Sequence, residues 1–402
     1  MASTPLGSYG GLTDKRALIA ALATPPILFF LSKAAIAYFA TSQKPDNRIY
    51  RAPLAAATQD NKLATCAYPP TSLPGARDVA TPYGSIRTYE WGPTTGRKIL
   101  FVHGISTPCI ALAGLAQELV EQHGCRVLLF DLFGRGYSDA PDPALYPQDS
   151  RLWTTQISLV LGSSELDWST YALAGYSLGG GIAADYASWF PEAVESLILI
   201  APAGLLRNDR VAWWSKMVYG GFLPRTLVEK MVKKRLLGNS AQQQPEKTSV
   251  GIVQSAEAEA PAESNEQVSG LFSGRPPFSV ATSVAWQADA HPGFVSSFIS
   301  SIQNSPISAQ QHRWQIIASR LNEQRTNPND SVAARQGLRE GKVLLLLGDK
   351  DTVIVAEEVG EDAREAMGEV NLRTEVLAGG HDLPIAGVES CAKAIGEFLQ
   401  WS

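Results

Sequence analysis

STYALAGYSLGGGIAADYASWF, residues 169–190, joins a short apolar run to a small-residue helix through a serine set between glycines. Its first part, 169–177, is a short run of apolar and small residues, as expected of a strand buried on both faces. Its second part, 178–190, has helical character and stops before Pro191. Strand passes into helix at Ser177. Gly175 and Gly179 flank it at two residues on either side, giving the pattern G-x-S-x-G. A serine on so sharp a turn is lifted above the end of its strand. The flanking glycines leave room for the backbone. The helix N-terminus behind it is a place where free N–H groups favour developing negative charge.

Outward from this turn the chain alternates strand and helix. KILFVHG (98–104) and CRVLLFDLFGRG (125–136) read as buried strands that run into glycine-rich loops. ALAGLAQELVEQHG (111–124) and residues 148–163 read as helices, and ESLILIAPAG (195–204) as a strand. SIRTYEW (85–91) alternates as an early strand. The pattern breaks from about Leu205 to Gly341 and resumes with a strand in KVLLLLGDKD (342–351), a helix at 356–367, a strand at 371–377 and a last helix at 389–401. Such alternation predicts an α/β fold with a mostly parallel central sheet flanked by helices. The reading divides the chain into an apolar segment (1–45), a linker (46–78), a core (79–204 and 341–402) and an insertion (205–340). Within the insertion, about 240–277 is polar and biased in composition and is expected to be disordered.

The bulk numbers suit a globular protein of this kind. Of 402 residues 45% are hydrophobic, and the formal net charge is −5. The absence of a basic stripe argues against a nucleic-acid partner. Cys66, Cys109, Cys125 and Cys391 are scattered without C-x-x-C spacing, so no zinc site is expected and the redox compartment stays open. ALIAALATPPILFFLSKAAIAYFA (17–40) carries one charge, Lys33, and is long enough to span a bilayer, although Pro25 and Pro26 would kink it. It admits three readings. One is a membrane anchor, with the endoplasmic reticulum as a destination. Another is a cleavable signal ending near Ala37, which would make the protein secreted. The third is an apolar helix packed on the core. Positive charge on both flanks leaves the orientation open.

Two further strand ends carry candidate chemistry. Gly348-Asp349-Lys350-Asp351 follows one strand, and Gly379-Gly380-His381-Asp382 follows the next. With Ser177 as nucleophile, His381 is the general base. Asp351 is the carboxylate that orients the histidine, and Asp349 braces the turn. The order Ser, Asp, His is the chain order of the nucleophile-elbow triad. The oxyanion donors expected of this architecture are the backbone N–H groups of Ile105 and Leu178. His103 is read as holding its loop by hydrogen bonding. His123, His291 and His312 do not follow a strand in the required place.

FVHGIS, DLFGRGYSD, GYSLGG, GDKDTV and GGHDLP together resemble the recurrent motifs of the α/β-hydrolase superfamily, over roughly residues 80–402 apart from the insertion. DLFGRGYSD and GYSLGG are similar to those of monoacylglycerol-lipase and esterase-like members. Ser177 separates the chain from the dehalogenases and epoxide hydrolases of this fold, which use aspartate. The resemblance implies an acyl-enzyme mechanism with no metal or organic cofactor. It also implies that the insertion is a helical lid, with Tyr176, Trp213, Trp214 and Phe294 as pocket residues and Phe222, Trp286 and Trp314 as further lid or pocket candidates. The expected substrate is an apolar small-molecule ester, met at a membrane. A thioester, a peptide, a C–C bond or a biosynthetic acyl transfer would suit the same triad. A non-catalytic binder on this fold is the contrasting class, and the presence of all three triad residues argues against it.

Overall fold

The computed structural model describes residues 33, 48–53, 68–207, 218–220, 223–238, 280–327, 337–339 and 341–400. The chain begins with a short strand β1 (Ile49–Tyr50), then β2 (Arg77–Thr81), β3 (Gly84–Trp91) and β4 (Lys98–Val102). A 3₁₀ turn at Cys109–Leu112 leads into helix α1 (Ala113–His123), which ends at Gly124 in the left-handed region, φ 63°. β5 (Arg126–Phe130) and the short β6 (Ala140–Pro141) follow. Helix α2 (Ser150–Leu161) is capped by Asp149, whose carboxylate accepts from the N–H groups of Arg151 and Leu152. Then come β7 (Tyr171–Tyr176), α3 (Leu178–Trp189) and β8 (Val194–Ile200). Helices α4 (Arg225–Gly238), α5 (Val280–Ala290), α6 (Phe294–Asn304) and α7 (Gln311–Thr326) occupy the insertion. β9 (Val343–Gly348), α8 (Ala356–Met367), β10 (Leu372–Leu377), α9 (Leu383–Ala386) and α10 (Val388–Gln400) complete the order.

Eight strands form one sheet in the order β10-β9-β8-β7-β4-β5-β3-β2. β10 to β5 run parallel, while β3 is antiparallel to both β5 and β2. The central strands are buried on both faces, which is why they read as continuous apolar runs: Leu344 to Leu347 and Leu197 to Ile200 are fully buried. The edges differ. β2 and β10 alternate between more and less covered residues, and Val376 is exposed.

Helices cover the sheet in two groups. α1 packs with α10; α3 packs with α2 and α7, and α7 with α8. α7 thus belongs to the layer on the sheet, although it lies within the stretch read as an insertion. Its Trp314, Ile317 and Leu321 are buried, and Arg320 donates to the carbonyls of Ala187 and Ser188 at the end of α3.

β1 pairs antiparallel with β6 outside the main sheet. Asp139 fastens this ribbon, accepting from Ala52 N–H at 2.7 Å, Ser85 N–H at 2.8 Å and Arg51 Nη1 at 2.8 Å. Part of the stretch read as a linker is therefore built into the fold. Among the described residues no helix is long and apolar enough to cross a membrane. Of residues 17–40 only Lys33 is described, so the anchor, signal and packed-helix readings lie outside the described residues, as does the polar stretch 240–277.

Candidate active site

Ser177 occupies the N-cap of α3 at φ 53°, ψ −118°, a conformation that costs a side-chain-bearing residue about 1–3 kcal/mol and persists only where its surroundings impose it. They do so here. Ser177 N–H donates to Ile200 of β8 at 3.0 Å, and its carbonyl accepts from Ala203 N–H at 2.8 Å and Gly180 N–H at 2.9 Å. The flanking glycines are required by contact. A Cβ on Gly179 would lie 2.0 Å from the carbonyl oxygen of Val102, and one on Gly175 would lie 2.2 Å from that of Gly179.

The loops after β9 and β10 are laced together beside this turn. Asp349 N–H donates to Leu377 O and Lys350 N–H to Gly379 O, both at 2.9 Å. The Asp349 carboxylate accepts Gly379 N–H at 2.8 Å, which is the bracing expected of it. Asp351 and His381 are carried inward by this lacing. His381 Nδ1 lies 2.8 Å from Asp351 Oδ2, and its Nε2 lies 3.0 Å from Ser177 Oγ. A carboxylate only accepts, so Nδ1 carries the proton and Nε2 is left to accept from the serine hydroxyl. Asp351 Oδ1 is occupied by Val353 N–H and Ile354 N–H at 2.8 Å each. Ser177, Asp351 and His381 are 7%, 6% and 6% exposed, so the chain of hydrogen bonds lies largely out of water.

The loop after β4 faces the same strand ends. His103 is fully buried. Its Nδ1 donates to Gly104 O at 2.8 Å, and its Nε2 accepts Leu132 N–H at 2.8 Å. His103 thereby holds the loop in the neutral Nδ1–H form. Gly104 O and Ile105 N–H belong to one trans peptide and point in opposite directions, so His103 also sets the direction of the Ile105 N–H. Leu178 is the first residue of α3, and its N–H is one of the four that have no carbonyl partner inside the helix.

Other side chains hold the neighbouring loops, among them Arg135 and Asp131, to which the sequence assigns no separate role within DLFGRGYSD. Arg135 is fully buried and donates to Ile105 O (Nε, 2.9 Å), Phe133 O (Nη1, 3.1 Å), Gln148 Oε1 (Nη1, 3.2 Å) and Ser301 Oγ (Nη2, 2.8 Å). Asp131 accepts the N–H groups of Cys109 and Tyr137, and burial raises its carboxyl above the ordinary range. Tyr176 is fully buried with its ring 5.5 Å from that of His381. Phe294 and Trp314 are likewise fully buried, Phe294 with its ring 6.1 Å from that of Phe298. Half-covered Trp286 packs against Tyr68 and Tyr137. Trp213, Trp214 and Phe222 lie outside the described residues. Among the described residues no group of three His, Cys, Asp or Glu is placed to hold a metal ion.

Comparison with known proteins gives the family and the fold. The chain is 28% identical over 143 residues to a serine hydrolase-like protein of Danio rerio, 35% of this chain and 42% of that one. It is 31% identical over 127 residues to a serine hydrolase-like protein of Dictyostelium discoideum, 31% of this chain and 34% of that one. The match thus spans less than half the length of these curated relatives. An esterase structure from Rhodococcus sp. aligns with 82% of this chain and all of its own at a TM-score of 0.50 and 16% identity, a likeness of fold. Residues 98–387 match the family model for the alpha/beta hydrolase fold. With more than half of its length matched by that model, the chain belongs to the α/β-hydrolase fold family.

Proposed function

We propose that the protein cleaves a carboxylic ester of an apolar substrate through an acyl-enzyme intermediate. The observation that carries this reading is the unbroken path Ser177 Oγ, His381 Nε2, His381 Nδ1, Asp351 Oδ2, with steps of 3.0 Å and 2.8 Å. Ser177 Oγ attacks the ester carbonyl carbon while its proton passes to His381 Nε2. Asp351 stabilises the imidazolium so formed. The carbonyl oxygen gathers the negative charge and is met by the N–H groups of Leu178 and Ile105. The tetrahedral adduct collapses, and the alcohol leaves with the proton from His381. A water, deprotonated by His381, then attacks the acyl carbon. The acid is released and Ser177 regains its proton. Tyr176 and Leu178, the apolar buried neighbours of Ser177 in the chain, support an apolar acyl group.

We place this chemistry at a membrane surface. Support comes from the apolar sequence at 17–40. It also comes from the outer face of α4, where Leu227, Met231 and Leu237 are exposed beside Lys230 and Lys234. Co-flotation of the full chain with vesicles containing anionic lipid, weakened by Leu227→Ser with Met231→Ser, is the expected result. No flotation of the full chain would remove this placement.

The test of the chemistry is labelling by a fluorophosphonate, which reacts with activated serines, on wild type and Ser177→Ala. It is run beside 4-nitrophenyl esters of increasing chain length. Labelling and ester hydrolysis, both abolished in Ser177→Ala, are expected, with rates rising toward longer acyl chains. A folded wild type that neither labels nor hydrolyses any ester would overturn the proposal.

A further inference from the structure

Gln287 lies on the inserted helix α5, fully buried, and faces two loops of the core. Its Nε2 donates to Ser106 O at 3.0 Å and to Ser283 O, one turn back on its own helix, at 3.2 Å. Its Oε1 accepts Gly136 N–H at 2.8 Å. Both amide hydrogens and the amide oxygen are thus engaged, so its orientation is determined. The two loops are those that follow β4 and β5. Residues 104, 105 and 106 of the first loop have their carbonyls held in succession by three side chains: Gly104 by His103, Ile105 by Arg135, Ser106 by Gln287. His103 and Arg135 come from the core. Gln287 comes from the insertion.

We infer that Gln287 is a positioning residue: by tying Ser106 and Gly136 together it completes the fixing of the loop that presents the Ile105 N–H to the reacting carbonyl. The inference rests on the ester-hydrolase reading of Ser177. The physical reason is preorganisation. An oxyanion donor acts only at the place where charge develops, and a displacement of about 1 Å costs on the order of 10²-fold in rate. A loop carbonyl without its donor is free to rotate its peptide plane, and Ser106 O and Ile105 O lie on adjacent planes. The seating of α5 on the core thereby sets the geometry of a site to which α5 contributes no reacting group.

Two variants test this with 4-nitrophenyl butyrate. Gln287→Met keeps the length of the side chain and removes its hydrogen bonds. The expected result is a fall of about 10- to 100-fold in kcat and in kcat/KM alike, with KM within about twofold of wild type. A residue that merely docks α5 would alter the melting temperature or KM instead. Gln287→Glu separates the two bonds. Ionised, it still accepts Gly136 N–H but sets an oxygen against Ser106 O. Protonated, it donates there again. Burial raises the pKa of such a carboxyl, so the ratio of its kcat to that of wild type should climb as the pH falls from about 8 to about 6, while the Gln287→Met ratio stays level.

Should Gln287→Met fail to fold, the Gln287→Glu ratio alone decides. A kcat within about twofold of wild type in folded Gln287→Met, a loss confined to KM, or a level Gln287→Glu ratio would overturn the inference. Labelling of wild-type Ser177 by fluorophosphonate is measured alongside. A labelled wild type with unaffected variants removes the role of Gln287 alone, whereas an unlabelled, inactive wild type removes the hydrolase reading on which it rests.

Discussion

Asp351 Oδ2 faces His381 Nδ1 at 2.8 Å, while Oδ1 of the same carboxylate holds the N–H groups of Val353 and Ile354. The two backbone donors fix the plane of the carboxylate, and that plane fixes the ring. Asp349, two residues earlier, accepts Gly379 N–H at 2.8 Å. The two carboxylates should therefore separate cleanly on mutation. Asp351→Asn presents an amide that can itself donate toward Nδ1 and favours the wrong tautomer, so kcat should fall by about 10⁴-fold. Asp349→Asn keeps an oxygen for Gly379 N–H and should retain kcat within about tenfold. Steady-state kinetics on 4-nitrophenyl esters distinguish the two. Equal losses would mean that the bracing and the orienting roles are not divided in this way.

The glycines at the elbow make a steric prediction. Gly175→Ala and Gly179→Ala each put a methyl against backbone oxygen at 2.2 Å and 2.0 Å, where no flexible side chain can yield. Each should cost more than about 3 kcal/mol or abolish soluble protein. Gly360 in α8 is the control. Its added Cβ would meet the Arg364 and Leu347 side chains at 3.7 Å and 3.8 Å, ordinary contact distances. Gly360→Ala should stabilise by about 0.5–1 kcal/mol through helix propensity. Urea unfolding of the three variants measures this, and a stable, active Gly179→Ala would contradict the packing of α3 against the end of β4.

Arg135 should not tolerate lysine. Its guanidinium serves four acceptors spread over three atoms, Ile105 O from Nε, Phe133 O and Gln148 Oε1 from Nη1, and Ser301 Oγ from Nη2. An ammonium concentrates its donors at one point and cannot reach all of them. Buried acceptors left without a donor cost about 1–3 kcal/mol each, so Arg135→Lys should lose at least about 2 kcal/mol. Retention of wild-type stability in urea unfolding would show that the acceptors find other donors.

Legibility in the sequence followed burial. β4, β5, β7, β8 and β9 are covered on both faces, so each is written as an apolar run. β2 has no such run. It is an edge strand that carries Arg77 and Asp78 and exposes alternate residues, so its stretch reads as polar linker. The ribbon of β1 and β6 escaped for another reason: two-residue strands held by one carboxylate, Asp139, leave no periodicity to detect. Ser177, Asp351 and His381 were legible because each follows a strand end in the expected order, and the structure brings the three within hydrogen-bond reach. Gln287 was not: it acts through hydrogen bonds to backbone from a helix position where many residue types would be consistent with the pattern. Arg135 stands within DLFGRGYSD, but nothing in that run tells that its guanidinium reaches Ile105 O and Ser301 of other segments.

His291, at the end of α5, makes the remaining prediction. It is buried, its Nε2 donates to Ser138 O at 2.8 Å, and its Nδ1 accepts Gly293 N–H at 3.1 Å. Both ring nitrogens are engaged only in the neutral form, since a protonated Nδ1 could not accept. Burial lowers its pKa to about 4, with nearby Asp139 opposing and Arg135 assisting the shift. In the unfolded chain the ring takes a proton near the ordinary histidine value of about 6.5. Between those values the unfolded state binds more protons, so stability rises with pH across the window. The contribution is fully present above about pH 6.5 and is lost as the pH falls toward about 4, amounting to roughly 3 kcal/mol over the full span. His291→Gln removes the titration and can still donate to Ser138 O. Urea unfolding at about pH 7 and about pH 5 should show a steeper loss for wild type than for the variant. The difference between the two slopes isolates this ring from every other group that titrates in common. Parallel slopes would mean that His291 is protonated in the folded protein as readily as in the unfolded one, and that its burial against the loop at Ser138 is not maintained in solution.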